Sequence, residues 1–159
     1  METIGWKEKV SFPELGLKNV PAKTDTGART SVIHCSSIEL IKKNRKQFVK
    51  FVPLDSTHPQ FTGKEFILPF HREKTIKNSF GEAENRFVIE TTVELFNQLF
   101  SIEISLRDRS NMEYPMLIGR SFIRNNFIVD VSKSNLSARY KNQKIKEKKS
   151  RENRNTVQK

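Results

Sequence analysis

Between Phe87 and Arg107 the chain alternates apolar and polar residues with a period of two. Phe87, Ile89, Thr91, Val93 and Leu95 fall on one side, and Val88, Glu90, Thr92 and Glu94 on the other. After Asn97 and Gln98, read as the turn, Phe100, Ile102, Ile104 and Leu106 alternate with Ser101, Glu103, Ser105 and Arg107. Successive strand residues point to opposite faces of a sheet, so the pattern specifies a long antiparallel hairpin with one dry face. A helix through Val93, Phe96 and Phe100 accounts for fewer of these positions.

Shorter apolar runs between turn formers carry the same signal elsewhere, and the fold class expected is all-β. The run from Thr30 to Leu40 leads into the basic cluster Lys42 to Lys46, which suits an exposed turn. Phe48 to Leu54 reads as a strand with Pro53 at its end or on a sheet edge. Tyr114 to Gly119 reads as a buried strand ending at a glycine. Ser121 to Asn126 is expected to be a short helix with Ser121 at its start, and Phe127 to Val131 the last strand.

A length of 159 residues allows one ordinary domain, with little left over for a second. No apolar run is long enough to cross a membrane. The first residues, METIGWKEKVSF, carry charges where a signal peptide needs an apolar stretch. The single cysteine, Cys35, cannot form an internal disulfide or a Cys-rich zinc site. A cytoplasmic protein without membrane insertion is therefore expected. Of the net charge of +11, a net +6 comes from Lys141 to Lys159, a segment with one Ile and one Val. The expected division is a folded domain over 1–140 and a basic disordered tail over 141–159. Nucleic acid could be bound only through that tail and the Lys42 to Lys46 cluster; a solvated end is the plainer reading.

The chemistry is concentrated in Ala22-Lys-Thr-Asp-Thr-Gly-Ala28. Asp-Thr-Gly alone fits an ordinary turn, because Asp and Gly adopt turns for conformational reasons. Two further features accompany it. Met116-Leu-Ile-Gly119 is an apolar strand running into a glycine that permits close backbone approach. Lys77-Asn-Ser-Phe-Gly81 is a polar turn between two strand-like stretches. The other aspartates, Asp55, Asp108 and Asp130, are not followed by Thr-Gly or Ser-Gly, so the chain holds no second loop of this kind.

With these motifs in order, the chain resembles the retropepsin-like aspartic peptidases, and within them the bacterial subgroup labelled ATP-dependent zinc protease. The matching stretches are Ile4 to Glu8, Phe12 to Gly16, Ala22 to Ser31 with His34, Asn85 to Thr91, Leu106 to Arg109 and Tyr114 to Arg120. The resemblance runs from about residue 4 to about residue 131, and the basic tail lies outside it. It implies a closed, antiparallel, barrel-like single lobe of the acid-protease fold, with one short helix after the Ile-Gly strand. It also implies an aspartic endopeptidase acting on peptide or unfolded protein as a homodimer, because each such chain supplies one catalytic Asp. Asp25 is the matching residue, Thr26 the one that ties the two loops together, and Gly27 the floor of the cleft. Ala28 and the turn residues Asn78, Ser79, Phe80 and Gly81, as a flap, are the implied substrate contacts.

The viral members place an acid after Asp-Thr-Gly-Ala, paired with the Arg that follows the Ile-Gly strand. Here that position is Arg29, which leaves Arg120 without the expected partner unless Asp108 or Glu113 intervenes or the cations face apart. No cofactor and no metal are expected. His34, His58 and His71 are scattered, and no phosphate-binding loop of the Gly-x-x-x-x-Gly-Lys-Ser/Thr type is present. The alternative is a peptide-binding module of the same fold without proteolysis, linked in function to an ATP-grasp ligase that modifies proteins.

Overall fold

The structure, a computed structural model, describes residues 1–77 and 80–157. Its elements in chain order are β1 (Glu2–Ile4), β2 (Lys7–Phe12), a 3-10 turn (Pro13–Leu15), β3 (Leu17–Thr24), β4 (Ser31–Lys43) and β5 (Lys46–Pro53). There follow β6 (Phe66–Pro69), β7 (Arg72–Lys77), β8 (Ala83–Leu95), β9 (Gln98–Arg107) and β10 (Met116–Ile118). The last elements are α1 (Arg120–Ile123), β11 (Phe127–Val129) and α2 (Leu136–Val157).

The hairpin read from the alternation is β8–β9, with Ile89 opposite Ile104, Thr91 opposite Ile102 and Val93 opposite Phe100. Its turn differs from the expected one. Leu95 pairs with Gln98, so Phe96 and Asn97 are the central residues, both at positive φ (53° and 57°). Asn tolerates that conformation. Phe96 adopts it because its ring is buried against Phe127 and Tyr140 while its N–H donates to Ser137 Oγ at 2.8 Å.

Six strands close a ring in the order β10-β3-β2-β8-β9-β4, with β4 returning to β10. The barrel is mixed, where an antiparallel one was expected: β10 runs parallel to β3 and β4 parallel to β9. Only strands joined by tight hairpins are obliged to be antiparallel, and these neighbours are far apart in sequence. Phe12, Phe51, Ile89, Ile104, Met116 and Ile118 are among the side chains that fill the interior. β1 and β11 form a separate two-stranded parallel sheet. α1 begins at Arg120 behind Gly119, which makes no side-chain cap, so Ser121 lies within the helix and does not cap it.

Residues 141–157, expected to be disordered, continue a helix that begins at Leu136. Its first turn belongs to the domain. The buried Glu8 carboxylate accepts the N–H groups of Gly5 (2.8 Å), Leu136 (3.1 Å) and Ser137 (2.9 Å). An anion at the helix N-terminus satisfies N–H groups that lack an intrahelical partner. Lys141 Nζ then reaches Glu94 at 2.8 Å. Beyond that the helix is polar, and its Lys, Arg, Glu and Gln residues are good helix formers although they cannot form a core. Among the described residues no helix is long and apolar enough to cross a membrane.

Candidate active site

The Asp25 loop is built at the seam where β10 passes between β3 and β4. Thr24, the last residue of β3, is fixed from both ends: its N–H donates to Trp6 O at 2.8 Å and its hydroxyl to Gly5 O at 2.7 Å. Asp25 N–H donates to Ile118 O at 2.9 Å, and Asp25 Oδ1 accepts Gly27 N–H at 3.0 Å. Arg120 N–H donates to Ala28 O at 2.8 Å and Ser121 N–H to Arg29 O at 3.0 Å. Gly119 permits this approach. A Cβ there would lie 2.6 Å from the carbonyl carbon of Thr30 and 2.8 Å from Ser31 N, inside any tolerated contact. Its N–H is held by Ser31 Oγ at 2.9 Å.

Asp25 and Ala28 are half-buried, and Thr26 and Gly27 are exposed, so the loop presents its tip outward. Arg120 does not need the missing acid. Its Nη1 donates to Gly27 O at 3.0 Å and reaches Thr26 O at 3.4 Å, so two carbonyls of the loop stand where a carboxylate was looked for. Arg29 is exposed.

Of the flap candidates, Asn78 and Ser79 lie outside the described residues. Gly81, at φ +80°, and Phe80 belong to the connection between β7 and β8. Phe80 is 87% exposed, so it is not packed down over Asp25.

A residue that the sequence did not single out is coupled to Asp25 by charge. Arg109, just beyond β9, is 8% exposed. Burial, then the like charges of Arg107 and Arg86, hold its guanidinium below the ordinary range, with Asp25 acting as the counter-charge. Arg86 is pushed the same way by burial and by Arg107. The signal was present in the matching stretches Leu106 to Arg109 and Asn85 to Thr91, which carry these three arginines, but only the pairing of β8 with β9 brings them together.

Behind Arg109 is a buried histidine. His34 Nδ1 accepts Arg109 N–H at 2.7 Å, which leaves Nε2 to donate to Asp55 Oδ2 at 2.6 Å. The Asp55 carboxyl is drawn down to about 2, chiefly by the Thr57 hydroxyl, then by Thr57 N–H and His34, against the effect of burial. These residues do not fit zinc. Both nitrogens of His34 are already engaged, and burial pushes the Cys35 thiol far up, away from the thiolate that would ligate a metal.

A six-stranded barrel carrying one Asp-Thr-Gly loop clamped beside an Ile-Gly strand defines a single retropepsin-like lobe. Residues 3–140 match the RimB-like family, described as retropepsin-like aspartic endopeptidase RimB, and the chain belongs to that family. Two similar proteins are named "Probable alpha-L-glutamate ligase". One, from Desulfotalea psychrophila, is 35% identical over 80% of this chain and 27% of its own length. The other, from Shewanella pealeana, is 36% identical over 82% of this chain and 29% of its own. The chain thus spans less than a third of these relatives. A crystal structure of a Legionella pneumophila protein of unknown function has the same fold, with a TM-score of 0.68 and 23% identity over 86% of this chain and 98% of that one.

Proposed function

We propose that the chain is an aspartic endopeptidase that works as a homodimer, each copy contributing Asp25 to a pair of carboxylates. The observation that carries this reading is the clamped loop. Asp25 is fixed through its own N–H by β10, its Oδ1 is committed to Gly27 N–H, and the loop carbonyls are pinned by Arg120. A side chain positioned in this way meets the preorganisation that catalysis demands. With one such loop per chain, the pair requires a second copy.

Two carboxylates in contact cannot both ionise, so they share one proton. The ionised member takes a proton from water as its oxygen attacks the scissile carbonyl carbon, and the protonated member polarises the carbonyl oxygen. Collapse of the tetrahedral adduct breaks the C–N bond, and the amine leaves with a proton returned from the pair. The substrate class is peptide or unfolded protein. The names of the relatives favour a working link with a protein-modifying ligase that adds glutamate.

The test is cleavage of a peptide library by the native chain and by Asp25→Asn, read as new N-termini. Cleavage by the native chain alone is expected; equal cleavage by both would remove Asp25 from the mechanism. The second reading, a peptide-binding module without proteolysis, is favoured by the relatives, in which the matched stretch is under a third of a protein named as a ligase. A strictly monomeric species in sedimentation at working concentration, together with no cleavage, would select that reading.

A further inference from the structure

Helix α2 leaves the domain after one anchored stretch. Ser137 is buried, Leu136 and Tyr140 pack against the core, and Lys141 Nζ reaches Glu94 at 2.8 Å. From Asn142 to Asn155 every residue except the half-buried Glu147 is exposed. That stretch holds Lys144, Lys146, Lys148, Lys149, Arg151 and Arg154 against Glu147 and Glu152. At the helical rise per residue it is a basic rod about 20 Å long, projecting into solvent. The cations surround its axis. Lys144, Lys148 and Arg151 share one side by their helical spacing, and Lys146 and Lys149 take the opposite one.

The rod gains little from its own contacts. Lys144 Nζ stands 3.5 Å from Glu147, which also receives Gln143 Nε2 at 3.4 Å, and both distances are long. Lys144 with Lys148, and Lys148 with Arg151, are like charges at neighbouring positions, which destabilise a helix. A helix polar on every side has no packed face to offset that repulsion, whereas a ligand with closely spaced negative charges removes it. The arrangement of the cations selects the ligand. An anionic membrane takes an amphipathic helix, and Ile145 is the single apolar residue from Asn142 to Asn155. An acidic protein surface meets one side of a rod and leaves the cations of the other side unanswered. The groove of a nucleic-acid duplex carries a phosphate backbone along each wall, so cations on opposite sides of one helix are both met.

We propose that residues 142–155 of α2 form a binding site for double-stranded nucleic acid, which they contact through its phosphate backbones and without regard to base sequence. Glu8, which accepts the N–H groups of Leu136 and Ser137, fixes the direction in which the rod leaves the domain. The lysines meet phosphates as point charges, and Arg151 and Arg154 as planar forks. The site is independent of the peptidase reading, because neither Asp25 nor a second copy takes part in it.

The test uses the full chain and fluorescein-labelled duplexes of one sequence, one of DNA and one of RNA, read by anisotropy beside vesicles of phosphatidylserine. Micromolar binding to at least one duplex is expected at about 50 mM salt, and the tighter of the two identifies the source of the phosphates. With about four phosphates engaged, affinity should fall about a hundredfold by about 200 mM salt. Lys144→Gln, Lys146→Gln, Lys148→Gln and Lys149→Gln together should weaken binding about tenfold or more, with the helix kept because Gln forms helix as well as Lys. The same loss of charge at the exposed β4–β5 turn, Lys42→Gln, Lys43→Gln, Arg45→Gln and Lys46→Gln, should leave most of the binding. The proposal is overturned if neither duplex binds, if affinity does not fall with salt, or if the two variants lose binding alike. Tighter binding to the vesicles than to either duplex would also overturn it.

Discussion

The Asp25 loop and the band of arginines formed by Arg86, Arg107 and Arg109 are opposites in how they satisfy their polar groups. In the loop, the N–H groups of Asp25, Gly27, Ala28 and Arg120 have partners, and the carbonyls of Thr26, Gly27, Ala28 and Arg29 accept from Arg120 or Ser121. In the band, Arg86 Nε, Arg109 Nε and the neighbouring Ser105 Oγ are buried with no partner among the described residues. The loop is fixed by bonds within the chain, whereas the arginines keep buried donors for which the described residues offer no acceptor.

That contrast can be broken most severely at Gly119. Gly119→Ala forces a Cβ into Thr30 and Ser31, and a loss of about 3 kcal/mol is expected from overpacking against backbone that cannot move aside. Thermal or urea unfolding measures it; an unchanged midpoint would mean that the seam is looser than described.

Acid should act next, from behind the band. The Asp55 carboxyl titrates at about 2 in the fold, below its ordinary 3.8. A depressed carboxylate stabilises the fold above its unfolded value and loses that contribution as pH falls through the folded one. Stability should therefore decline between about pH 4 and 2, and Asp55→Asn should flatten that part of the profile in urea titrations. An identical acid limb in the variant would exclude Asp55 as its source.

Arg120→Met should cost about 1 kcal/mol, the net worth of the carbonyl contacts at the loop, while reducing cleavage by more than that loss explains. Equal losses in stability and cleavage would make Arg120 a general structural residue. The smallest effect on stability is expected from Arg107→Gln, within about 0.5 kcal/mol, because its 3.7 Å approach to Glu84 is solvated and weak. A stability change of the size expected at Gly119 would contradict the description of that pair as weak.

Much of the tied region was legible from the sequence and little of the untied one. Period-two alternation located β8 and β9 to within a few residues, because a half-buried strand must alternate wherever it lies. Gly119 was legible as a close approach because only glycine removes the Cβ. The partners of Arg120 were not, since a guanidinium can be satisfied by carbonyls as well as by an acid, and residue type says nothing about backbone. The parallel pairs β3–β10 and β4–β9 come from closure of the ring, which local pattern does not encode. Residues 141–157 read as disordered because they lack an apolar face; that absence leaves helix propensity, and the anchor at Glu8, out of account. Arg109 and Asp25 are more than eighty positions apart in sequence, so their charge interaction appears only once the barrel closes.

The endopeptidase reading requires two copies to act on one substrate. Native chain mixed with Asp25→Asn chain, allowed to exchange, tests this most directly. At equal proportions about one quarter of the dimers carry two intact carboxylates, so activity should fall to about half of what the native share alone would give. Activity that simply follows the native share would contradict a site made from two chains.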